Sequence, residues 1–216
     1  MRLSLVILAL PVLLLGAFSP AALGQPFPVP AGPVSSDEKV RRAIDFLSVA
    51  DPGVMRNRSI TTLYDLGRDD RLTALYRAVW KNDRAAYPSL AWGTLERPDV
   101  RIAFGQFWAQ YIRNTTGNAA EMADVRRYVV QYLNDPDMRV RADALGYLGP
   151  LGQPGDVPAL LAACSQDALP VATSAAMALS ILLDKRAIGP LQECRSRTGN
   201  PAVQGAVDSI LARMPR

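Results

Sequence analysis

Histidine does not occur among the 216 residues. Its absence excludes a Ser/His/Asp triad, a Cys–His pair and any metal site built on imidazole. It also removes the commonest general acid/base, leaving carboxylate, Lys, Tyr and Cys chemistry open. Lysine is confined to Lys39, Lys81 and Lys185, so nearly all the positive charge is Arg. A GC-rich genome explains that bias as well as an anion site would. The net charge is only +4 and the basic residues are spread along the chain, a balance that does not point to nucleic acid. No segment alternates long enough to read as a strand, and no aromatic residue follows Tyr147.

Long apolar runs are also scarce, and the one present is at the start, "MRLSLVILALPVLLLGAFSPAALGQ". Arg2 is a positive n-region, and Leu5 to Phe18 carries no charge. Pro11 interrupts that stretch, which is shorter than the roughly 20 residues a spanning helix needs. It reads as a signal peptide cleaved between Gly24 and Gln25, after Ala22-Leu23-Gly24, with no stable membrane insertion afterwards. No Cys follows the apolar run to take a lipid. The expected destination is the periplasm or the exterior. Pro26, Pro28, Pro30 and Pro33 then make residues 25–36 an extended linker.

What remains is globular in composition, 49% hydrophobic and 20% charged. "VRADALGYLGPLGQPGDVPALLAAC" lies over "VATSAAMALSILLDKRAIGPLQEC" at an offset of 31. Val140, Ala144, Leu145 and Leu148 align with Val171, Ala175, Ala176 and Leu179. Val157 and Leu160 align with Ile188 and Leu191. A third copy starts at Val203 and keeps Val207, Ile210 and Leu211. Apolar residues at i, i+4 and i+8 return to one side of a helix. Gly149, Pro150, Gly152, Pro154 and Gly155 read as a turn, with Pro158 in the first turn of the helix after it. Each tile is therefore helix, turn, helix, and only stacking can bury its apolar stripe.

"DPDMRVRADALGYLG" followed by "GDVPALLAA" resembles the HEAT repeat, in the short form found in phycobilisome lyases and many bacterial proteins. Asp135, Pro136, Val140, Arg141, Ala144, Leu148, Gly149, Val157, Pro158 and Leu160 match that pattern. The second tile departs from it, with Ala172 for the Arg and Ser180 for the Gly. Asp184 falls at the turn, and the third tile puts Asp208 on its apolar frame. The resemblance is firmest over residues 135–216. It implies an all-α solenoid of stacked antiparallel helix pairs, an armadillo-type superhelix that works by binding protein.

Upstream, Val100, Phe104, Trp108 and Tyr111 share a face, paired with Met122, Val125, Val129, Tyr132 and Leu133, as an earlier tile with larger residues. Before these, residues 37–97 read as diverged repeats, with Asp37 and Asp70 as the caps at two helix starts. The expected organisation is 1–24 signal peptide, 25–36 linker, 37–97 diverged helical region and 98–216 HEAT-like repeats.

Few residues stand out as sites. The aromatics of the middle region read mainly as a bulky core, with Trp92 and Trp80 as candidate partner contacts because Trp dominates binding hot spots and Trp92, before Gly93, falls outside any clear helical stripe. Cys164 and Cys194, in an oxidising compartment, are candidates for a disulfide. Stacked helices lie about 8–10 Å apart and a bridge needs Cα atoms within about 7 Å, so bridged and free states both stay open. Asp69-Asp70 and Asp135/Asp137 abut helix starts, where free N–H groups attract them. Asn57 and Asn114 begin N-glycosylation sequons that matter only on a eukaryotic secretory route. No catalytic residue, metal ligand or cofactor is expected. The functional expectation is an exported scaffold or adaptor for a protein partner. The alternatives are an accessory subunit of an envelope complex and a lyase-like chromophore handler.

Overall fold

In the computed structural model the described residues are 35–49, 63, 65, 66, 69–166 and 168–214, all within the unit Ser35–Arg216. The signal peptide, the cleavage site at Gly24 and Gln25, most of the linker and the Asn57 sequon lie outside them. The helices are α1 (Ser36–Ser48), α2 (Asp70–Lys81), α3 (Trp92–Leu95), α4 (Pro98–Thr115) and α5 (Ala119–Val129), then α6 (Met138–Leu151), α7 (Val157–Gln166), α8 (Leu169–Leu183), α9 (Ile188–Arg197) and α10 (Pro201–Leu211). No strand occurs among the described residues.

Local chemistry sets the starts. Ser35 caps α1, accepting from the Glu38 N–H in the Ser-x-x-Glu spacing of a capping box. Asp37, expected as the cap, sits two residues further on, in the first turn of α1, and pairs with Arg71. Asp69, not Asp70, caps α2, because its carboxylate accepts from the Arg71 N–H at 2.9 Å. Asp137 caps α6 through the Arg139 N–H at 2.8 Å. Asn82, at φ 60°, ends α2 in the left-handed region that Asn tolerates.

Two apolar clusters fill the interior. One is aromatic, built around Tyr76, Trp80, Phe104, Phe107, Trp108 and Tyr111 of α2 and α4. The other is aliphatic, built from Leu145, Leu148, Leu160, Val171, Ala175, Leu179, Leu191, Val203 and Val207. Helix α6 belongs to both, giving Val140, Ala144 and Leu151 to the first and Ala142, Leu145 and Leu148 to the second. A helix with apolar residues on two sides is what an inner member of a stack requires. The aligned positions Val140, Ala144, Leu145 and Leu148 are all buried, but toward two neighbours and not one.

The expected turn at Gly149-Pro150 is helical: α6 runs on to Leu151. Gly149 is small because α8 presses on it, and a Cβ there would meet Ile181 Cβ at 3.1 Å and Ala178 Cα at 3.3 Å. Pro150 loses one helical bond at the last turn, where few bonds remain to lose. The reversal follows at Gly152 and the 3-10 turn Pro154–Asp156. In the next tile the equivalent corner is Asp184, at φ 49°. Polar ties also join neighbouring helices. Arg126 donates to both oxygens of Asp156 at 2.7 Å, and Arg113 Nη2 donates to the Pro150 carbonyl at 2.5 Å.

Candidate functional site

Helices α2, α4 and α5 meet around a cleft of about 300 Å³. Trp80 and Lys81 reach it from the end of α2, and Arg101 from the beginning of α4. Asp124, Arg127 and Tyr128 share one face of α5 at i, i+3 and i+4, with Gln131 one turn further on. The aromatic floor is tight. Trp80 and Tyr128 meet edge to face, centroids 5.6 Å apart. Gly105 gives the Trp80 ring its room, since a Cβ there would lie 3.1 Å from that ring and 3.2 Å from Val125.

Arg101 is the hinge of the site. Its guanidinium lies 4.8 Å from the Tyr128 ring centre and 5.3 Å from that of Trp80, a double cation–π contact. Its Nη2 donates to the Trp80 carbonyl at 3.0 Å, while its Nε is buried with no hydrogen-bond partner. Asp124 lies between the other two cations, 2.9 Å from Lys81 Nζ and 3.1 Å from Arg127 Nη1. The Lys81 hydrogen bond, with Arg127 adding to it, holds the Asp124 carboxyl below the ordinary Asp value. Burial, and then the hydrogen bond with Tyr132, raises the Tyr128 phenol, which stays neutral. Three cations thus line the cleft with one anion, and Glu96 lies within electrostatic reach of Arg101. That arrangement can hold an acidic group; it offers no paired nucleophile and base.

The expected partner contacts fare differently from this cleft. Trp92 is 8% exposed, and its indole N–H donates to the Tyr87 carbonyl at 2.9 Å. It opens the short α3 and packs into the aromatic core, which corrects its reading as a surface anchor. Trp80 is 4% exposed and only borders the cleft. Trp92 stood outside any helical stripe because α3 has only four residues, and burying a large ring is what a bulky core does with it. Cys164 and Cys194 are joined by a disulfide between α7 and α9, Cα atoms 5.7 Å apart. The helix-axis spacing used above overstates that gap, because each Cα sits about 2.3 Å off its axis toward the other helix.

The acid pairs serve the backbone. Asp69 caps α2 and accepts from Ser36 Oγ at 2.5 Å, and Asp135 accepts from the Asp137 N–H at 2.8 Å. Arg141 donates to the Asp135 carbonyl at 2.6 Å, within its own tile. Asn114 is exposed near the end of α4. Among the described residues no group of three or more His, Cys, Asp or Glu could hold a metal ion, and no helix is long and apolar enough to cross a membrane. Sequence reading missed Lys81, Arg101, Asp124 and Arg127 as a group. Asp124, Arg127 and Tyr128 share a helical face on spacing alone, but nothing local announces that α2 and α4 bring three more lining residues to it.

Helix pairs stacked through shared apolar faces are the architecture that the motif at 135–160 implies. Residues 96–180 match the family model described as HEAT repeats. This segment is a run of HEAT repeats. The match begins upstream of the region where the sequence resemblance is firmest, so α4 and α5, with their larger residues, fall within it. No curated protein and no solved structure matches the chain. HEAT repeats suggest a protein-interaction scaffold, and the family is generally non-catalytic.

Proposed function

We propose that this protein is an exported HEAT-repeat scaffold or adaptor that binds another protein through its solenoid surface and carries no catalytic activity of its own. The observation that carries this reading is the stack itself, α4 to α10, in which side chains are spent on helix-to-helix packing and the HEAT match covers residues 96–180. Such a stack presents a preorganised surface, which lowers the entropy lost on binding. Export rests on the charge-free run Leu5 to Phe18 and the small residues before Gln25, with residues 25–36 as linker and 37–97 and 98–216 as the two helical regions. Crosslinking in cells followed by affinity capture and mass spectrometry tests the scaffold. A specific co-captured protein is expected, and capture of the chain alone overturns the reading. The same spectra test export, since the mature chain should begin at Gln25.

A second reading is an accessory subunit of an envelope complex, favoured by Ile181 and Leu169, which are 53% and 40% exposed. Size analysis separates the two, because a stable monomer in isolation argues against the subunit. The chromophore-handling alternative rests only on the lyase flavour of the repeat, and purified protein free of pigment disposes of it.

A further inference from the structure

We propose that the cleft between α2, α4 and α5 receives a carboxylate side chain from an acidic segment of the protein partner. This rests on the scaffold reading above and adds where the partner is held and by what chemistry.

Lys81, Arg101 and Arg127 line the cleft with Asp124, and Glu96 is a second acid close enough for Arg101 to help lower its carboxyl, so one positive charge of the three is left over. Arg127 is exposed along most of its side chain, and Lys81 along about half of its own (72% and 47%). Both can therefore turn donors toward a ligand while keeping contact with Asp124. Charge-assisted hydrogen bonds from such donors are the stronger kind. Arg101 contributes fixed positive charge, because two rings and the Trp80 carbonyl hold it in place. A group that is already ordered loses little entropy on binding.

The floor decides the class of ligand. Tyr128 puts the edge of a half-buried ring directly beside the cations, and the buried Trp80 only backs it. A small hydrated anion gains little from an apolar floor. A peptide gains from both, laying an apolar side chain against the exposed part of Tyr128 and an acidic one among the cations. Asp124 then acts as an internal competitor that occupies Lys81 and Arg127 until a partner carboxylate replaces it.

The test uses the full chain and a fluorescent peptide alternating Glu and Leu, followed by anisotropy, with the Gln–Leu counterpart as control. The Glu peptide is expected to bind and its Gln counterpart to bind at least about tenfold more weakly, as loss of charge-assisted bonds implies. Arg127→Gln should weaken binding by a similar factor. Asp124→Asn should tighten it several-fold, an outcome that damage to the fold cannot imitate. Arg195→Gln, on α9, should change nothing. The proposal is overturned if Asp124→Asn leaves binding unchanged or weaker. It is equally overturned if Arg127→Gln has no effect, or if inorganic phosphate or anionic vesicles bind at the cleft and the peptide does not. If the peptide fails while crosslinking still captures a partner, the cleft assignment falls and the scaffold reading stands. If crosslinking captures nothing from cells while the peptide behaves as described, the scaffold reading falls on its own.

Discussion

At Gly149 an added methyl would stand 3.1 Å from Ile181 Cβ and 3.3 Å from the Ala178 backbone, closer than packed carbons sit. Elsewhere in a helix Gly→Ala stabilises by roughly 0.5–1 kcal/mol. Here Gly149→Ala is expected to destabilise by about 1–3 kcal/mol, as overpacked cores do. Urea denaturation measures the change, and adding Ile181→Ala should recover only part of it, because the Cβ at position 181 and Ala178 Cα both remain in the way. Trp92 gives a second prediction at this scale. Trp92→Phe keeps most of the ring volume but leaves the Tyr87 carbonyl without its 2.9 Å donor, at a cost of about 1 kcal/mol in the same measurement. A surface anchor at that position would leave stability unchanged.

Between elements, the bond from α7 to α9 ties adjacent tiles across 30 residues of chain. Closing a loop of that length in the unfolded chain is worth about 3–4 kcal/mol in the loop-entropy account. The double substitution Cys164→Ala/Cys194→Ala should lower stability by an amount of that order. Thiol counting on denatured protein should find no free thiol until reductant is added, and two free thiols without it would remove the bond from the account. Both sulfurs are fully buried, so in the folded protein the bond should resist mild reductant. Capping is a smaller contribution: Asp137→Ala frees the Arg139 N–H and should cost about 1 kcal/mol.

Across the whole molecule, acid sensitivity follows from several half-buried carboxylates held below their ordinary values. The hydrogen bonds from Arg41 and Arg42 take Glu38 from 4.5 to about 2. Asp69 is lowered by Ser36 and the Arg71 N–H, Glu96 by Arg84, and Asp124 by Lys81. A carboxyl lowered in the folded state adds stability above its unfolded value, and that stability is lost as pH falls toward the folded value. Stability should therefore decline as pH drops from about 4.5 toward 2. Glu38→Gln should flatten part of that decline in pH-dependent denaturation, and added salt should shrink the effect, since partly exposed pairs are screened.

Much of this protein was legible in the order of its residues. The recurrence of Val140, Ala144 and Leu148 at Val171, Ala175 and Leu179 states a helix period and a tile length, and tiles of that kind can hide their apolar stripes only by stacking. Those are local facts, set by spacing along one helix. The cap at Ser35 was legible too, in a Ser-x-x-Glu spacing that reading for Asp alone passed over. What depends on distance through space was not. Only the packed structure decided that α6 serves two cores, that Gly149 marks a crossing and not a turn, and that Trp92 points inward. It also decided that Arg101 from one helix lies on Trp80 and Tyr128 from two others. Each of these turns on which helix stands against which side of another, and periodicity carries the face of a helix but not the identity of its neighbour.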